Sequence, residues 1–313
     1  MATYQFSALA SGQAINFNPS ADVLNFDQAQ WAAARVRFVS EGANVRIITE
    51  AFSGPTDVVL LNVSPLQFTT GNITFADGSR LLHGDNSTAL NDDAGNSLTG
   101  TAGRDQLNGF GGVDTMNGGP GDDLYFVTTG DVLSDAGGRD TIVTEVSWTL
   151  GAGFEEVEIA GNGAVTIQGN DLANRIVGND ANNTINARGG SDTLEGRGGD
   201  DYFNMSMGST TSFGNDFIVG GEGRDTVDFG GNAKSALVAD LSQAFVHGGE
   251  ANGGGASTIL EVEDFIAGQF NDHVTGNDAA NFLFGWRGDD TLIGAAGNDR
   301  LEGSDGNDVL RGG

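Results

Sequence analysis

The chain has 313 residues, 51 of them glycine and only 4 proline, with 38% hydrophobic residues and no cysteine. Glycine at that level without a period of three excludes collagen, and the apolar fraction excludes simple disorder, leaving turn-dense β structure. A net charge of −29 disfavours nucleic acid and anionic membrane as partners, and the missing cysteines exclude disulfides and thiolate metal sites.

The charge is unevenly placed. Residues 1–85 carry four arginines (35, 37, 46 and 80) against seven acids (22, 27, 41, 50, 57, 77 and 85), a balance of −3. The other 10 basic and 36 acidic residues leave −26 on the remainder. So much like charge opposes compaction unless cations neutralise it, and about 14 or 15 divalent ions would offset the whole chain's −29 in full. The opening Met1-Ala-Thr-Tyr-Gln-Phe6 has neither a basic region nor an apolar run, so no cleavable leader is expected there. No stretch approaches 18 apolar residues, so no membrane insertion is expected.

Residues 1–85 read as a small antiparallel β domain. Its expected strands are Thr3–Ser7, Ala14–Phe17, Val23–Phe26, Arg35–Val39, Asn44–Thr49, Asp57–Asn62 and Asn72–Phe75, with one helical turn over Gln28–Ala34. From about residue 91 the period becomes nine: glycine-rich at positions one to four, Asp or Asn at six, a large apolar residue at eight. A first array, 86–145, places Asn96, Asp105, Asp114 and Asp123 at position six, then a looser copy with Asp140. Connecting coils, 146–168, lack the acidic nonapeptide. A second array, 169–228, carries Asn174, Asn183, Asp192, Asp201, Asp216 and Asp225. Connecting or inserted coils occupy 229–268, expected to continue the sheets as metal-free coils or a side layer. A third array, 269–313, holds Asp272, Asn281, Asp290, Asp299 and Asp308. Its last copy, Gly303-Ser-Asp-Gly-Asn-Asp308-Val-Leu-Arg311, is followed by Gly312 and Gly313, which open a further copy.

The nonapeptide divides by chemistry. Glycines let the chain turn tightly and bring carbonyls to one point. The Asp adds a hard anionic oxygen, which suits calcium and not a soft metal. The next three residues form a minimal strand with one inward apolar side chain. Two nonapeptides make a coil of 18 residues, and stacked coils rise about 4.8 Å. The fold expected after residue 85 is a parallel β-roll, making the whole chain all-β.

Gly100-Thr-Ala-Gly-Arg-Asp105-Gln-Leu, Gly118-Gly-Pro-Gly-Asp-Asp123-Leu-Tyr, Gly220-Gly-Glu-Gly-Arg-Asp225-Thr-Val and Gly294-Ala-Ala-Gly-Asn-Asp299-Arg-Leu resemble the repeats of the RTX, or haemolysin-type calcium-binding, family of type I-secreted bacterial proteins. Val146-Ser-Trp-Thr-Leu-Gly-Ala-Gly-Phe-Glu-Glu-Val also resembles segments found between such arrays. The resemblance implies multiple calcium ions, each between turns 18 residues apart. It places one ion on Thr101, Gly103, Asp105, Gly118, Pro120 and Asp123, and another on Trp286, Gly288, Asp290, Gly303, Asp305 and Asp308. The remaining aspartates at position six, Asp114, Asp140, Asp192, Asp201, Asp216, Asp225, Asp272 and Asp299, are the further expected ligands. Where Asn replaces Asp the site loses a charge. Such coils mostly open an array, which suggests entry coils held by amide hydrogen bonds rather than metal.

No catalytic residue is expected. H-E-x-x-H and G-x-S-x-G are absent, and His83, His247 and His273 stand alone. Glu155, Glu156 and Glu158, or Glu261, Glu263 and Asp264, offer carboxylates without an aromatic sugar platform, and read as a solvated strand face. Interrupted threonines at position seven do not make an ice-binding ladder. Trp31 and Trp148 read as core or cap anchors, while Trp286 occupies a turn.

The function expected is that of a secreted, calcium-binding structural protein. The resemblance implies export unfolded through a type I channel and folding outside the cell, at an extracellular or cell-surface location. Family proteins often carry a non-repeat secretion segment after the repeats, and none is seen, leaving a signal within the last repeats or a longer chain. The open last coil (Asp299, Asp308, Gly312, Gly313) is expected to dock on the N-terminal domain of a second copy, giving a filament, matrix or surface layer. The alternative is a monomeric adhesin or accessory domain, with a cell-surface polysaccharide as partner.

Overall fold

A computed structural model describes residues 1–49, 57–90, 92–205, 214–230, 233–249 and 255–313. Its described elements are β-strands and three single 3-10 turns, so the chain is all-β. It divides into two units, Met1–Val143 and Thr144–Gly313.

The first unit begins with two small sheets. Thr3–Gln5, Val23–Phe26 and Ile73–Phe75 pair in parallel. Gln13–Asn16 pairs in parallel with Asp57–Leu61, which continues antiparallel to Asn44–Thr49 and Val36–Glu41. The expected antiparallel domain is therefore mixed. Alternation of apolar residues reports which face a strand buries and not the direction of its partner. Thr3 pairs with Val23 because the chain between them crosses into the other sheet and returns, a winding that forces parallel pairing. The helical turn expected over Gln28–Ala34 is a 3-10 turn at Ala33–Arg35.

These sheets enclose a conventional core of Phe6, Leu24, Phe26, Trp31, Ile47 and Leu60, all at most 1% exposed. Phe26 stacks on Phe75 at 4.7 Å and Phe6 meets Trp31 edge-on at 5.0 Å, geometries favoured by aromatic rings. The domain then hands its last strand to the coils. Leu81–His83 pairs in parallel with Gln106–Asn108, and the Ala34 amide donates to the Arg104 carbonyl at 3.0 Å. The first coils of this unit are thereby capped, as a solenoid end requires.

Within each unit the nonapeptides wind as expected. In the first, Ser97 pairs with Thr115 and Gln106 with Leu124, an offset of 18 residues. In the second, Thr166–Gln168, Thr184–Asn186 and Tyr202–Asn204 stack on one side, and Arg175–Val177 and Thr193–Gly198 on the other. The stretch 146–168 supplies Trp148–Thr149, Glu156–Ile159 and Thr166–Gln168 to the same sheets. The stretch 229–268 is partly outside the described residues, at 231–232 and 250–254. Its described strands Leu237–Asp240, Phe245–Gly248 and Ala256–Leu260 pair antiparallel with one another inside an otherwise parallel sheet, between Phe217–Glu222 and His273–Thr275.

Position eight builds the core of the coils. Leu107, Met116, Tyr125, Ile142, Ile176, Ile185, Leu194, Phe203, Ile218, Val227, Val274, Leu283 and Leu292 are all fully buried, one per nonapeptide. At the last strand, Val309–Arg311, Leu310 is 47% exposed, because no further coil covers it among the described residues.

Candidate metal centres

Each turn ends by placing its position-six side chain against the preceding coil. There one carboxylate oxygen has a fixed task. The Asp105 amide donates to Asp123 Oδ1 at 2.8 Å, Asn174 to Asp192 at 2.8 Å, Asn183 to Asp201 at 2.7 Å, Asp272 to Asp290 at 2.7 Å and Asp290 to Asp308 at 3.0 Å. This ladder satisfies the amide at the start of each minimal strand, where no strand partner is available.

The second oxygen has no such task. Oδ2 of Asp114, Asp123, Asp192, Asp201, Asp225, Asp290 and Asp299 is buried with no hydrogen-bond partner among the described residues. An oxygen stranded in this way carries its full desolvation penalty. Burial accordingly pushes the carboxyls of Asp123, Asp192 and Asp201 up to about 7, and those of Asp225, Asp272 and Asp290 up to about 6. Buried anions in this state call for a cation that accepts oxygen ligands.

The glycines bring more oxygen to the same places. A Cβ on Gly119 would lie 2.3 Å from the Thr101 carbonyl oxygen, and one on Gly121 would lie 2.1 Å from that of Gly103. Both glycines also have positive φ, at +94° and +149°. A Cβ on Gly196 would meet both Asp201 Oδ2, at 2.1 Å, and the Gly220 carbonyl, at 2.5 Å. Backbone carbonyls and carboxylates converging in a flexible, all-oxygen set fit calcium's demand for six to eight hard ligands. A bound calcium supplies the missing positive charge and ties one turn to the next.

The first expected ligand set is brought together: Thr101 and Gly103 face the turn of Gly118 and Pro120, with Asp105 and Asp123 beneath. In the last set, Gly288 O faces Gly306, and Asp290 bonds Asp308. The Trp286 carbonyl there accepts the Asp305 amide at 3.0 Å, and the Asp305 side chain points outward, 81% exposed. Asp216 donates its amide to Ser257 Oγ at 3.1 Å and Asp225 to Glu263 Oε2 at 2.9 Å, so the ladder passes into the inserted stretch. Asp299 and Asp308 lie in the last turns, and Gly313 is packed against Ala295.

The family profile for RTX calcium-binding nonapeptide repeats matches residues 91–125, 168–203, 210–233, 263–292 and 293–313. These segments are RTX calcium-binding repeats. The RTX repeats bind calcium ions at multiple sites, and such repeats are typical of secreted proteins and are not themselves catalytic elements. The endo-1,3-1,4-beta-glycanase ExsH of Rhizobium meliloti (strain 1021) is 39% identical over 105 residues, 32% of this chain and 22% of the relative. The chain thus spans about a fifth of the length of that relative. Among the described residues no helix is long and apolar enough to cross a membrane.

The Asn-bearing RTX coils solve the burial problem differently. Asn281 Nδ2 donates to the Glu263 carbonyl at 2.7 Å and to Asn277 Oδ1 at 2.9 Å, while its own oxygen accepts the Asn277 amide at 2.9 Å. Asn183 with Asn179, and Asn174 with Asn170, repeat the pattern. Asn170 Nδ2 reaches the Gly151 and Phe154 carbonyls at 2.8 Å, and Asn179 Nδ2 those of Gly161 and Gly163 at 3.1 and 2.9 Å. An amide nitrogen therefore gathers carbonyls as an ion would. The signal is written as Gly169-Asn-Asp-Leu-Ala-Asn174, Gly178-Asn-Asp-Ala-Asn-Asn183 and Gly276-Asn-Asp-Ala-Ala-Asn281. The position-two asparagines were not singled out from the sequence.

Other candidates take structural roles. Asp264 accepts a bidentate pair from Arg224 at 2.8 and 2.6 Å, and the Phe282 amide at 2.8 Å. Glu263 is a ladder carboxylate, as is Asp131, which takes the Asp114 amide at 2.8 Å. Sequence reading missed both of these ladder roles, because neither residue stands in a well-formed nonapeptide. His83 is buried among Phe38, Phe68 and Phe110, and burial pushes it down to about 4, so it is neutral and bonds the Pro65 carbonyl at 3.1 Å. His247 and His273 are exposed.

Proposed function

We propose that this chain is a secreted structural protein whose coils close on calcium outside the cell and which then adds end to end to further copies of itself. The row of buried, unpartnered Asp Oδ2 atoms carries the first half of the reading. Without cations, 26 net negative charges beyond residue 85 oppose stacking, so ion binding and folding are coupled. Extracellular calcium modules work at about 10⁻⁴–10⁻³ M, which would leave the coils open inside a cell and closed outside.

The second half rests on Val309–Arg311. This strand has a free outer edge among the described residues and leaves Val309 and Leu310 43% and 47% exposed. An apolar, parallel edge of this kind accepts another strand. The N-terminal domain of a second copy is the proposed occupant, a heterologous contact that propagates. Light scattering at micromolar protein in about 1 mM calcium, then in chelator, tests this near the expected affinity. Large particles that dissolve on chelation support it, and loss of assembly on deleting residues 303–313 with folding retained locates the contact. A calcium-compacted monomer at every concentration overturns the assembly. That outcome would favour a calcium-binding module within a larger secreted protein, a reading to which the partial match to the glycanase lends support.

A further inference from the structure

The end of the first array departs from the nonapeptide. In Asp135-Ala-Gly-Gly-Arg-Asp140 the first position, glycine in most copies, is an aspartate. Carboxylate oxygens of Asp123, Asp135 and Asp140 lie within 4.8 Å of one another. Asp123 is 1% exposed, and its Oδ2 has no hydrogen-bond partner among the described residues; a Cβ on Gly118 would lie 2.1 Å from this oxygen and 2.3 Å from the Tyr125 hydroxyl. The Asp123 amide donates to Asp140 Oδ1 at 2.8 Å, so the ladder is intact and the third carboxylate is an addition to it. Beside the cluster is a buried phenol. The Tyr125 hydroxyl donates to Asp135 Oδ1 at 3.1 Å and accepts the Gly118 amide at 2.7 Å. Tyr125 is the position-eight residue of its nonapeptide, where the other coils have an aliphatic, Met or Phe side chain with no polar tip.

We infer that Asp123, Asp135 and Asp140 form a three-carboxylate cation site, the tightest in the first array and selective for higher charge, with Tyr125 orienting Asp135. Two buried carboxylates and a half-buried one held this close repel one another, so a cation there relieves more repulsion than at a two-carboxylate turn pair. Ligand charge count is what tunes the affinity of oxygen sites for calcium. A trivalent lanthanide, with the same preference for hard oxygens, gains most from the third charge. Tyr125 also gives the site its own optical reporter, because a phenol in contact with a ligand carboxylate transfers excitation to bound terbium.

The test uses the full-length protein. Calorimetric titration with calcium should show a phase ahead of the rest. Asp135→Asn should weaken that phase about tenfold, as loss of one ligand charge does, and leave the later phases in place. Titration with terbium should give emission with a tyrosine excitation spectrum at the first equivalent, and Tyr125→Phe should abolish it while leaving the ion stoichiometry unchanged. An unchanged early phase in Asp135→Asn, or undiminished first-equivalent emission in Tyr125→Phe, overturns the inference. If Asp135→Asn does not fold in calcium, the Tyr125→Phe emission decides alone. Failure to bind calcium at all would instead contradict the repeat assignment, so the two failures are distinct.

Discussion

Residues 1–83 and the coils that follow solve the same problem with different materials. The N-terminal domain closes around paired aromatic rings and aliphatic side chains, with a charge balance near zero. The coils enclose a single file of position-eight residues, most with a buried aspartate or asparagine beside them. Among the described residues the first region strands no buried carboxylate oxygen. The other is left with buried carboxylate oxygens that no group among the described residues satisfies, and the proposed calcium-dependent closure rests on them. Within the coils the same contrast recurs, because Asn174, Asn183 and Asn281 complete their turns internally where Asp192, Asp201 and Asp299 do not.

Removing calcium should separate the two regions by the largest margin. In chelator the coils are expected to lose most of their strand signal in circular dichroism, while limited proteolysis followed by mass spectrometry should recover a resistant fragment ending near residue 83. If that fragment is digested as fast as the coils, the contrast is wrong. Next in size is Leu292→Ala, a truncation at a fully buried position, expected to cost about 2–5 kcal/mol by denaturant titration in saturating calcium. The same change at Leu310, half in solvent, should stay within about 1 kcal/mol. Comparable losses would mean that the terminal coil is covered in solution.

Asp201→Ala should delete one bound ion by calorimetry and orphan the Asn183 amide, costing about 1–3 kcal/mol. Asn281→Ala is expected to cost a similar amount by stranding the Glu263 carbonyl, yet leave the ion count unchanged. An ion lost from the Asn281 variant would erase the distinction between the two kinds of coil.

The smallest effect is on pH. Asp192 and Asp201 have carboxyls lifted by burial from 3.8 to about 7 in the folded, metal-free chain. A raised folded-state value means that the folded coil holds protons the unfolded chain has released. Its contribution to stability is fully present below about 3.8 and is lost as pH rises through about 7. In chelator the chain should therefore be more compact at pH 5 than at pH 8 by small-angle scattering, acid standing in weakly for calcium. Equal dimensions at both values would show that protonation does not substitute for the ion.

Much of the coil architecture was legible from residue types alone. Glycine, Asp and an apolar side chain at fixed phase specify a turn, a ligand and an inward strand residue, and a period of nine admits few other readings. What lay beyond that pattern was harder to see. Asp135 occupies a position where the repeat expects glycine, so nothing in the periodicity marks it as a ligand. Asn170, Asn179 and Asn277 act through amide bonds to residues 15 to 19 positions earlier, which a motif four residues long does not reveal. The directions of the N-terminal strands were equally hidden. Val45, Ile47 and Ile15 alternate in the same way, yet one strand pairs antiparallel and the other parallel.

The offset between stacked strands is 18 at Thr184 and Tyr202, but 24 between Tyr202 and Thr226 and 38 between Thr226 and Asp264. Across the first of these jumps the Asp192 amide still reaches Asp216 Oδ1 at 2.8 Å, and the Asp201 amide reaches Asp225 Oδ1 at the same distance. Rung spacing is thus conserved while the length of chain between rungs is free. For anyone wishing to display a foreign loop on this scaffold, the stretch between Phe203 and Asp216 is the natural graft point, since the protein already carries an extra segment there without losing its stacking.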